Sequence, residues 1–252
     1  MNDLLTQERY HSILQILSER DAVTVSELSE ALETSESTIR RDLNYLDEMG
    51  KLKKVFGGAT AIQSNSGVTE LPFESRESEM YEEKIAIAQY AATMVHDGDF
   101  VFIDAGTTTY CLIDYLANKS ATYITNGIAH SRKLIQRGFT THILGGKIKP
   151  YTEAVVGTTA INQIARLNFT KAFIGTNGID LTAGFSTPEL DEGAVKEAIV
   201  RKAYMSFILS DHTKFRRVFP VSFAEIQKCC IITDSVPDER FLQATVIKEV
   251  NK

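Results

Sequence analysis

Cysteine is scarce in this sequence: Cys111, Cys229 and Cys230 are the only three in 252 residues. None belongs to a Cys-x-x-Cys pair, so neither a disulfide framework nor a zinc-finger type of site is expected, and a reducing compartment is. Long apolar runs are also missing. The stretches at 100–103 and 207–209 are strand-sized, far below the roughly 20 residues of a membrane-spanning helix. The first residues lack a basic segment followed by an apolar core, so no secretory signal is read there and a cytoplasmic location is expected. Positive charge is in deficit, with a net charge of −6, which argues against a nonspecific nucleic-acid binder. Internal repeats and low-complexity stretches are not evident. What remains is an ordinary globular composition, 43% hydrophobic and 24% charged, long enough for two domains. No metal site and no cofactor is expected.

The charge of residues 1–62 is low but polarised. Five of its seven cations, Arg40, Arg41, Lys51, Lys53 and Lys54, fall between positions 40 and 54, and phosphate attraction acts only within about 10 Å in salt. Thr6 is placed to cap a helix over 7–18, with Ile13, Leu14, Ile16 and Leu17 as its buried stripe. Thr24 and Glu27 have capping-box spacing and open a short helix to about Leu32. Ser35 then caps a third helix to Met49, with Ile39, Leu43, Leu46 and Met49 on its apolar face and Gly50 as its stop. Ser35, Ser37, Thr38, Arg40 and Arg41 are thereby left near the start of that helix and off its buried stripe. Residues 51–59 alternate like a strand and turn at Gly57-Gly58, forming a wing that carries Lys53 and Lys54.

A short helix, a tight turn and a second helix with hydroxyls and guanidiniums near its start fit a DNA major groove. Arginine can read guanine with two hydrogen bonds, and Ser and Thr suit phosphates or base edges. The same three helices could instead form a protein-docking module, and an Arg-Arg pair can be a merely solvated face. The run Ser35-Glu36-Ser37-Thr38-Ile39-Arg40-Arg41-Asp42-Leu43, then Leu46, Gly50 and the wing ending Gly57-Gly58-Ala59, resembles the N-terminal signature of DeoR-family transcriptional regulators. The family commonly has arginine and histidine in the wing where this chain has Lys54 and Phe56. Lysine keeps the charge and loses bidentate geometry.

Residues 63–79, polar and broken by Gly67 and Pro72, read as a linker leading into a helical segment. From about Tyr81 helices and strands alternate. Strands are expected at 100–103, 122–125, 142–144, 171–174, 205–210, 229–233 and 245–248. Helices are expected at 82–96, 128–137, 159–165, 192–203 and 238–244, with another that contains Leu112 and Leu116. Such alternation predicts an α/β domain, a mostly parallel Rossmann-like sheet covered on both faces.

Ligands of such sheets bind at the carboxyl ends of the strands, where polar residues accumulate here. Asp104-Ala105-Gly106-Thr107-Thr108-Thr109 puts glycine and hydroxyls at a helix start, which suits a phosphate. Thr125-Asn126, Gly145 with Lys147, Gly175 with Asn177 and Gly178, and Asp211 with Lys214 follow other strands. Each alone is a common cap or turn. Together they favour a small, phosphorylated, hydroxyl-rich ligand.

The run from about Glu82 to Asp234 resembles the effector domain of the same family, similar in fold to phosphosugar isomerases. The resemblance implies a sugar phosphate as inducer. It implies effector contacts at Asp104, Gly106, Thr107, Thr108, Thr125, Asn126, Gly175, Asn177, Gly178, Glu192, Lys196, Asp211 and Lys214, with Thr176 replacing a usual small residue. The expected organisation is a winged helix-turn-helix over 1–62, a linker over 63–79, and a sugar-phosphate-binding and oligomerisation domain over 80–252. The expected function is a repressor of a sugar-utilisation operon, a dimer or tetramer on double-stranded operator DNA, released by a phosphorylated sugar such as fructose 1-phosphate. The rival reading is an aldose–ketose isomerase in which Glu192 with Lys196 or Lys214 moves the proton. The loop 175–179 lacks the acid that isomerases of this fold commonly carry, so no catalytic residue is assigned.

Overall fold

A computed structural model describes residues 2–20, 22–49, 51–61 and 73–250. The start of the chain is ordered by its caps. Helix α1 (Asn2–Arg20) begins earlier than expected, so Thr6 lies inside it rather than capping it. After strand β1 (Ala22–Thr24), the capping box forms at helix α2 (Val25–Ala31): the Thr24 N–H donates to Glu27 Oε2 at 2.8 Å and the Glu27 N–H to Thr24 Oγ1 at 3.2 Å. Helix α3 (Glu36–Glu48) starts at Ser35, whose Oγ accepts from the Thr38 N–H at 3.3 Å. Strands β2 (Leu52–Val55) and β3 (Gly58–Ala61) form the wing hairpin, and β1 adds to it in the antiparallel order β1-β3-β2. Gly57 turns the hairpin with φ +84°, and a Cβ on Gly58 would lie 2.2 Å from the Val23 carbonyl oxygen. Only glycine lets β3 pack this closely on β1.

Ile13, Leu17, Leu28, Ile39, Leu43, Leu46 and Leu52 form the core of this unit. Met49, expected on the apolar stripe of α3, is the C-cap and is 55% exposed, because the helix ends before it turns inward. The extra buried position of α3 is Asp42, whose carboxylate takes Arg9 Nε at 2.5 Å and Nη2 at 3.1 Å. That two-pronged pair bolts α1 to α3. The stop assigned to Gly50 lies outside the described residues, as does most of the expected linker.

The chain divides into two compact units, residues 1–68 and 69–252. The second begins, for the described residues, with helices α4 (Phe73–Glu77) and α5 (Tyr81–Thr93). There follow β4 (Phe100–Ile103), α6 (Thr107–Tyr115), β5 (Thr122–Thr125), α7 (Ile128–Gln136) and β6 (Thr140–Ile143). A small hairpin, β7 (Lys147–Ile148) with β8 (Val155–Val156), leads to α8 (Thr158–Ile164) and β9 (Phe169–Gly175). Then come β10 (Gly178–Asp180), β11 (Gly184–Thr187), α9 (Leu190–Lys202) and β12 (Ala203–Leu209). The chain closes with β13 (Val221–Ala224), β14 (Cys230–Thr233), α10 (Arg240–Ala244) and β15 (Ile247–Glu249).

Seven of these strands make one parallel sheet in the order β15-β14-β12-β9-β4-β5-β6. Side chains alternate along each strand. Phe102, Ile124, Ala172, Ile174 and Ile208 pack with Ile164, Val195 and Ile199 of α8 and α9. Val101, Ile103, Tyr123, Phe173 and Phe207 pack with Ile87, Ala91 and Leu112 of α5 and α6. Both faces are covered, as the βα alternation predicts. The antiparallel sheet β10-β11-β13 and the β7-β8 hairpin were not anticipated. Their strands are two to four residues long, too short to show a period.

Candidate functional site

After β4 the chain moves to one side, through β5 to β6, and β9 returns on the other side of β4. Connections leaving in opposite directions open a crevice at the carboxyl ends of β4 and β9. A cavity of about 400 Å³ lies there. Ten of the expected effector residues line it: Asp104, Gly106, Thr107 and Thr108 after β4, Gly175 and Asn177 after β9, Glu192 and Lys196 on α9, and Asp211 and Lys214 after β12.

One side of the cavity is a chain of alternating charges. Lys196 Nζ is paired with Asp104 Oδ2, donates to the Gly175 carbonyl at 2.9 Å, and lies 3.4 Å from Glu192 Oε1. Glu192 Oε2 is 2.7 Å from Lys149 Nζ, which also reaches Glu189 at 3.2 Å. Burial alone would raise the Glu192 pKa. Lys196 and Lys149 outweigh it and hold the carboxyl well below the usual carboxylate range. Asp104 Oδ2 also accepts from the Gly175 N–H at 3.0 Å, tying β4 to β9 at the crevice.

The opposite side is differently built. Gly106 is the N-cap of α6 and offers no side-chain acceptor, so the first helical N–H groups, at Thr107 and Thr108, have no intrahelical partner. His130 steadies this turn by donating from Nε2 to the Gly106 carbonyl at 2.9 Å. Burial pushes the His130 pKa down to about 4 against that hydrogen bond, so the imidazole is neutral near pH 7. Asp211 does not pair with Lys214. Its Oδ1 accepts from the Thr213 N–H at 3.0 Å and from the Thr213 hydroxyl, capping the short 3-10 turn His212–Lys214 that delivers the lysine. The Lys214 ammonium, half-buried in the cavity wall, makes no hydrogen bond or ion pair among the described residues. Asn177 Oδ1 accepts from the Thr187 hydroxyl at 3.0 Å, which leaves its Nδ2 donors to the cavity.

Five expected residues do not line the cavity. Thr125 and Asn126 are fully buried behind it: Thr125 Oγ1 accepts from the Gly127 N–H at 3.0 Å, and Asn126 clamps the Ala105 N–H (3.0 Å) and the Val155 carbonyl (3.3 Å). Asn126 therefore shapes the turn before α6. The Gly145 N–H donates to Gln163 Oε1 at 3.0 Å. Lys147 is 72% exposed beside Asp191 at 3.2 Å, a solvated pair. Gly178 is a packing glycine, since a Cβ there would lie 2.4 Å from the Arg217 carbonyl oxygen.

Sequence reasoning missed Arg76, Glu79, Met80, Lys84, Thr152, Ser210 and Arg217, all in the cavity wall. Lys84 is 4% exposed. Its position among acidic residues on a predicted helix carries the mark of a solvated face, and nothing local marks it otherwise.

In the N-terminal unit, Ser35, Ser37, Arg40, Arg41, Lys53 and Lys54 are exposed and Thr38 half-buried. Arg40 Nη2 lies 2.8 Å from Glu36 Oε2, an exposed pair one helical turn apart, and Arg41 has no partner among the described residues. Lys54 is tied back to α3: its Nζ donates to Asn44 Oδ1 at 2.5 Å and its N–H to Asp47 Oδ1 at 3.0 Å. Phe56, at the wing tip, is fully exposed.

Among the described residues, no group of His, Cys, Asp and Glu could hold a metal ion, and no helix is long and apolar enough to cross a membrane.

Residues 9–65 match the DeoR-like helix-turn-helix domain and residues 79–235 the DeoR C terminal sensor domain. The chain is 35% identical over 251 residues to the uncharacterized HTH-type transcriptional regulator FruR of Bacillus subtilis (strain 168), covering 98% of this chain and 99% of that protein. It is 33% identical to the HTH-type transcriptional regulator IolR of the same organism, covering 93% of this chain and 94% of that one. It is 29% identical to the lactose phosphotransferase system repressor of Staphylococcus aureus (strain NCTC 8325 / PS 47), covering 92% of this chain and 93% of that one. A winged helix-turn-helix, a parallel-sheet domain with a polar crevice and this end-to-end similarity converge: the chain belongs to the DeoR family of transcriptional regulators.

Proposed function

We propose that this regulator is a repressor of a sugar-utilisation operon whose effector is a sugar phosphate bound in the crevice between β4 and β9, with fructose 1-phosphate as the first candidate. The observation that carries this reading is the Lys214 ammonium, which lacks a counter-ion among the described residues and shares a cavity with the start of α6, whose first N–H groups have no intrahelical partner. A helix N-terminus with a cation beside it suits a phosphate. Asn177, Thr107 and Thr108 supply donors and acceptors for sugar hydroxyls. The printed names of relatives, a FruR and a lactose phosphotransferase system repressor, favour sugar control and repression.

In this reading residues 1–62 read operator DNA, 63–79 connect, and 80–252 bind effector and assemble a cytoplasmic dimer or tetramer, so that two recognition helices meet repeated half-sites. Arg41 reads bases and Lys54 supports the wing against phosphates. Binding rather than catalysis is favoured because Glu192, the carboxylate an isomerase would need as base, is pinned between two lysines and resists protonation.

The test is a thermal-shift panel of sugar phosphates, since a ligand of the native state raises apparent stability, followed by a gel shift on the DNA upstream of the chain's own gene. A stabilising sugar phosphate that releases this DNA is the expected outcome. No stabilisation by any member, or release that fails to follow binding, would sink the reading, and isomer formation detected by NMR would convert it to the enzymatic one.

A further inference from the structure

The wing hairpin carries a side chain that its own unit does not use. Strands β2 and β3 are fastened at base, middle and tip. Leu52 is buried in the core, the Lys54 N–H and Nζ donate to Asp47 Oδ1 and Asn44 Oδ1 of α3, and the Gly57 carbonyl accepts from the Val25 N–H at 2.9 Å. Gly58 lies too close to Val23 of β1 for any larger residue. The direction of the tip relative to α3 is therefore fixed. Val55 pairs with Gly58, which leaves Phe56-Gly57 as a two-residue turn. Phe56 supplies its only side chain, and at 108% exposure the ring packs against nothing among the described residues.

An exposed apolar side chain is ordinary by itself; its setting here is not. Residues 51–61 contain three lysines and no acidic residue. Successive residues of a strand point to opposite faces, so Lys54 lies on the α3 side with Leu52, and Lys53 lies on the other side with Val55. Both lysines are exposed. The hairpin thus presents an apolar tip with positive charge on each face behind it. A DNA groove has the matching form, a channel between two rows of phosphates. The minor groove is about 6 Å wide, against about 12 Å for the major groove. That is too narrow for a two-stranded ribbon, but it admits one ring beside a glycine.

We propose that Phe56 is an apolar wedge that enters the minor groove of operator DNA and bends the duplex there. This rests on the reading above in which residues 1–62 bind operator DNA. With α3 in the major groove, β2 carries the tip about 10 Å beyond its base at Leu52, past the phosphates that Lys54 meets and toward the neighbouring groove. Lys53 then faces the phosphates of the opposite wall. The ring has no donor or acceptor for base edges, so it acts on stacking: a wedge pushed between base pairs partly unstacks them and kinks the duplex. That costs least at flexible pyrimidine–purine steps. Specificity at the wing therefore comes from deformability, and the two lysines secure the contact without selecting sequence.

The test uses the full-length protein and the DNA upstream of its own gene, in circularly permuted fragments whose gel mobility reports bending. The wild-type protein should bend this DNA. Phe56→Ala should melt as wild type does, because the ring has no packing to lose, yet bind at least tenfold more weakly and bend the DNA less. Its affinity should keep the wild-type dependence on salt, since no phosphate contact is removed. A straight wild-type complex, a Phe56→Ala variant with wild-type affinity or bend, or one with a shallower salt dependence overturns the proposal and leaves the DNA-binding reading standing. Failure of the folded wild-type protein to bind the fragment specifically overturns that reading, and this proposal with it.

Discussion

Lys196, on α9, and Asp104, at the end of β4, are ion-paired across the crevice with both side chains at most 5% exposed. Removing one partner of a buried pair strands the other, which typically costs about 3–5 kcal/mol. Asp104→Ala also orphans the Gly175 N–H, whereas Glu192 stays near Lys196 as a second partner. A loss near the lower end of that range is therefore expected, read by urea unfolding. A loss below about 1 kcal/mol, the worth of a surface pair, would mean that the pair is not closed in solution.

His130 links stability to pH. Its folded pKa, about 4, lies below the usual 6.5 because burial disfavours the imidazolium. The unfolded chain therefore takes up a proton that the folded one refuses, and stability falls as pH drops from 6.5 toward 4. The full span is worth about 3 kcal/mol at 1.36 kcal/mol per unit. His130→Gln should flatten this part of the stability profile. An unchanged slope would place the proton uptake elsewhere.

Lys214→Ala separates ligand binding from folding. The ammonium has no partner to lose among the described residues, so the melting temperature should stay or rise slightly, as expected where a site is kept at the expense of stability. Sugar-phosphate affinity should fall at least tenfold, read by calorimetry. A variant that melts much lower with unchanged affinity would reverse the assignment.

In the N-terminal unit, three substitutions should act in three different ways. Arg41→Ala should lower specific DNA affinity by about 1–3 kcal/mol and relax sequence preference. Lys54→Ala should act mainly on salt dependence, with some loosening of the wing because its Nζ bonds Asn44. Asp42→Ala should lower the stability of the unit itself, because Arg9 loses its two-pronged partner. Gel shifts across a salt series, beside thermal melts, distinguish the three. Identical profiles for Arg41→Ala and Lys54→Ala on all DNA sequences would dissolve the division.

Local chemistry was legible in the sequence. Thr24 with Glu27 and Ser35 with Thr38 form their caps from residues three apart, so spacing alone predicts them. The strands Phe100–Ile103 and Thr122–Thr125 were readable because short apolar runs bounded by polar turns suit a doubly covered sheet. The polar loops after β4, β9 and β12 followed from the rule that ligands meet strand ends. The DeoR-family signature added what spacing left open, that the three helices belong to a helix-turn-helix domain of a transcriptional-regulator family.

Only the tertiary structure decided which of those polar residues share a cavity. Thr125 and Asn126 look as polar as Thr107 and Thr108 in sequence, yet one pair is spent inside on backbone groups and the other stands at an open helix start. Arg76, Lys84 and Thr152 carried no local mark because the cavity they line is assembled from segments distant in the chain. Met49 escaped the core because its helix stops, and Asp42 entered it because Arg9 was there to meet it. Sequence by itself determined the elements, their caps and the class of fold, since these depend on neighbours a few residues apart. The meeting of α4, α6, α9 and three strand ends around one cavity depends on long-range packing, which no short window of residues contains.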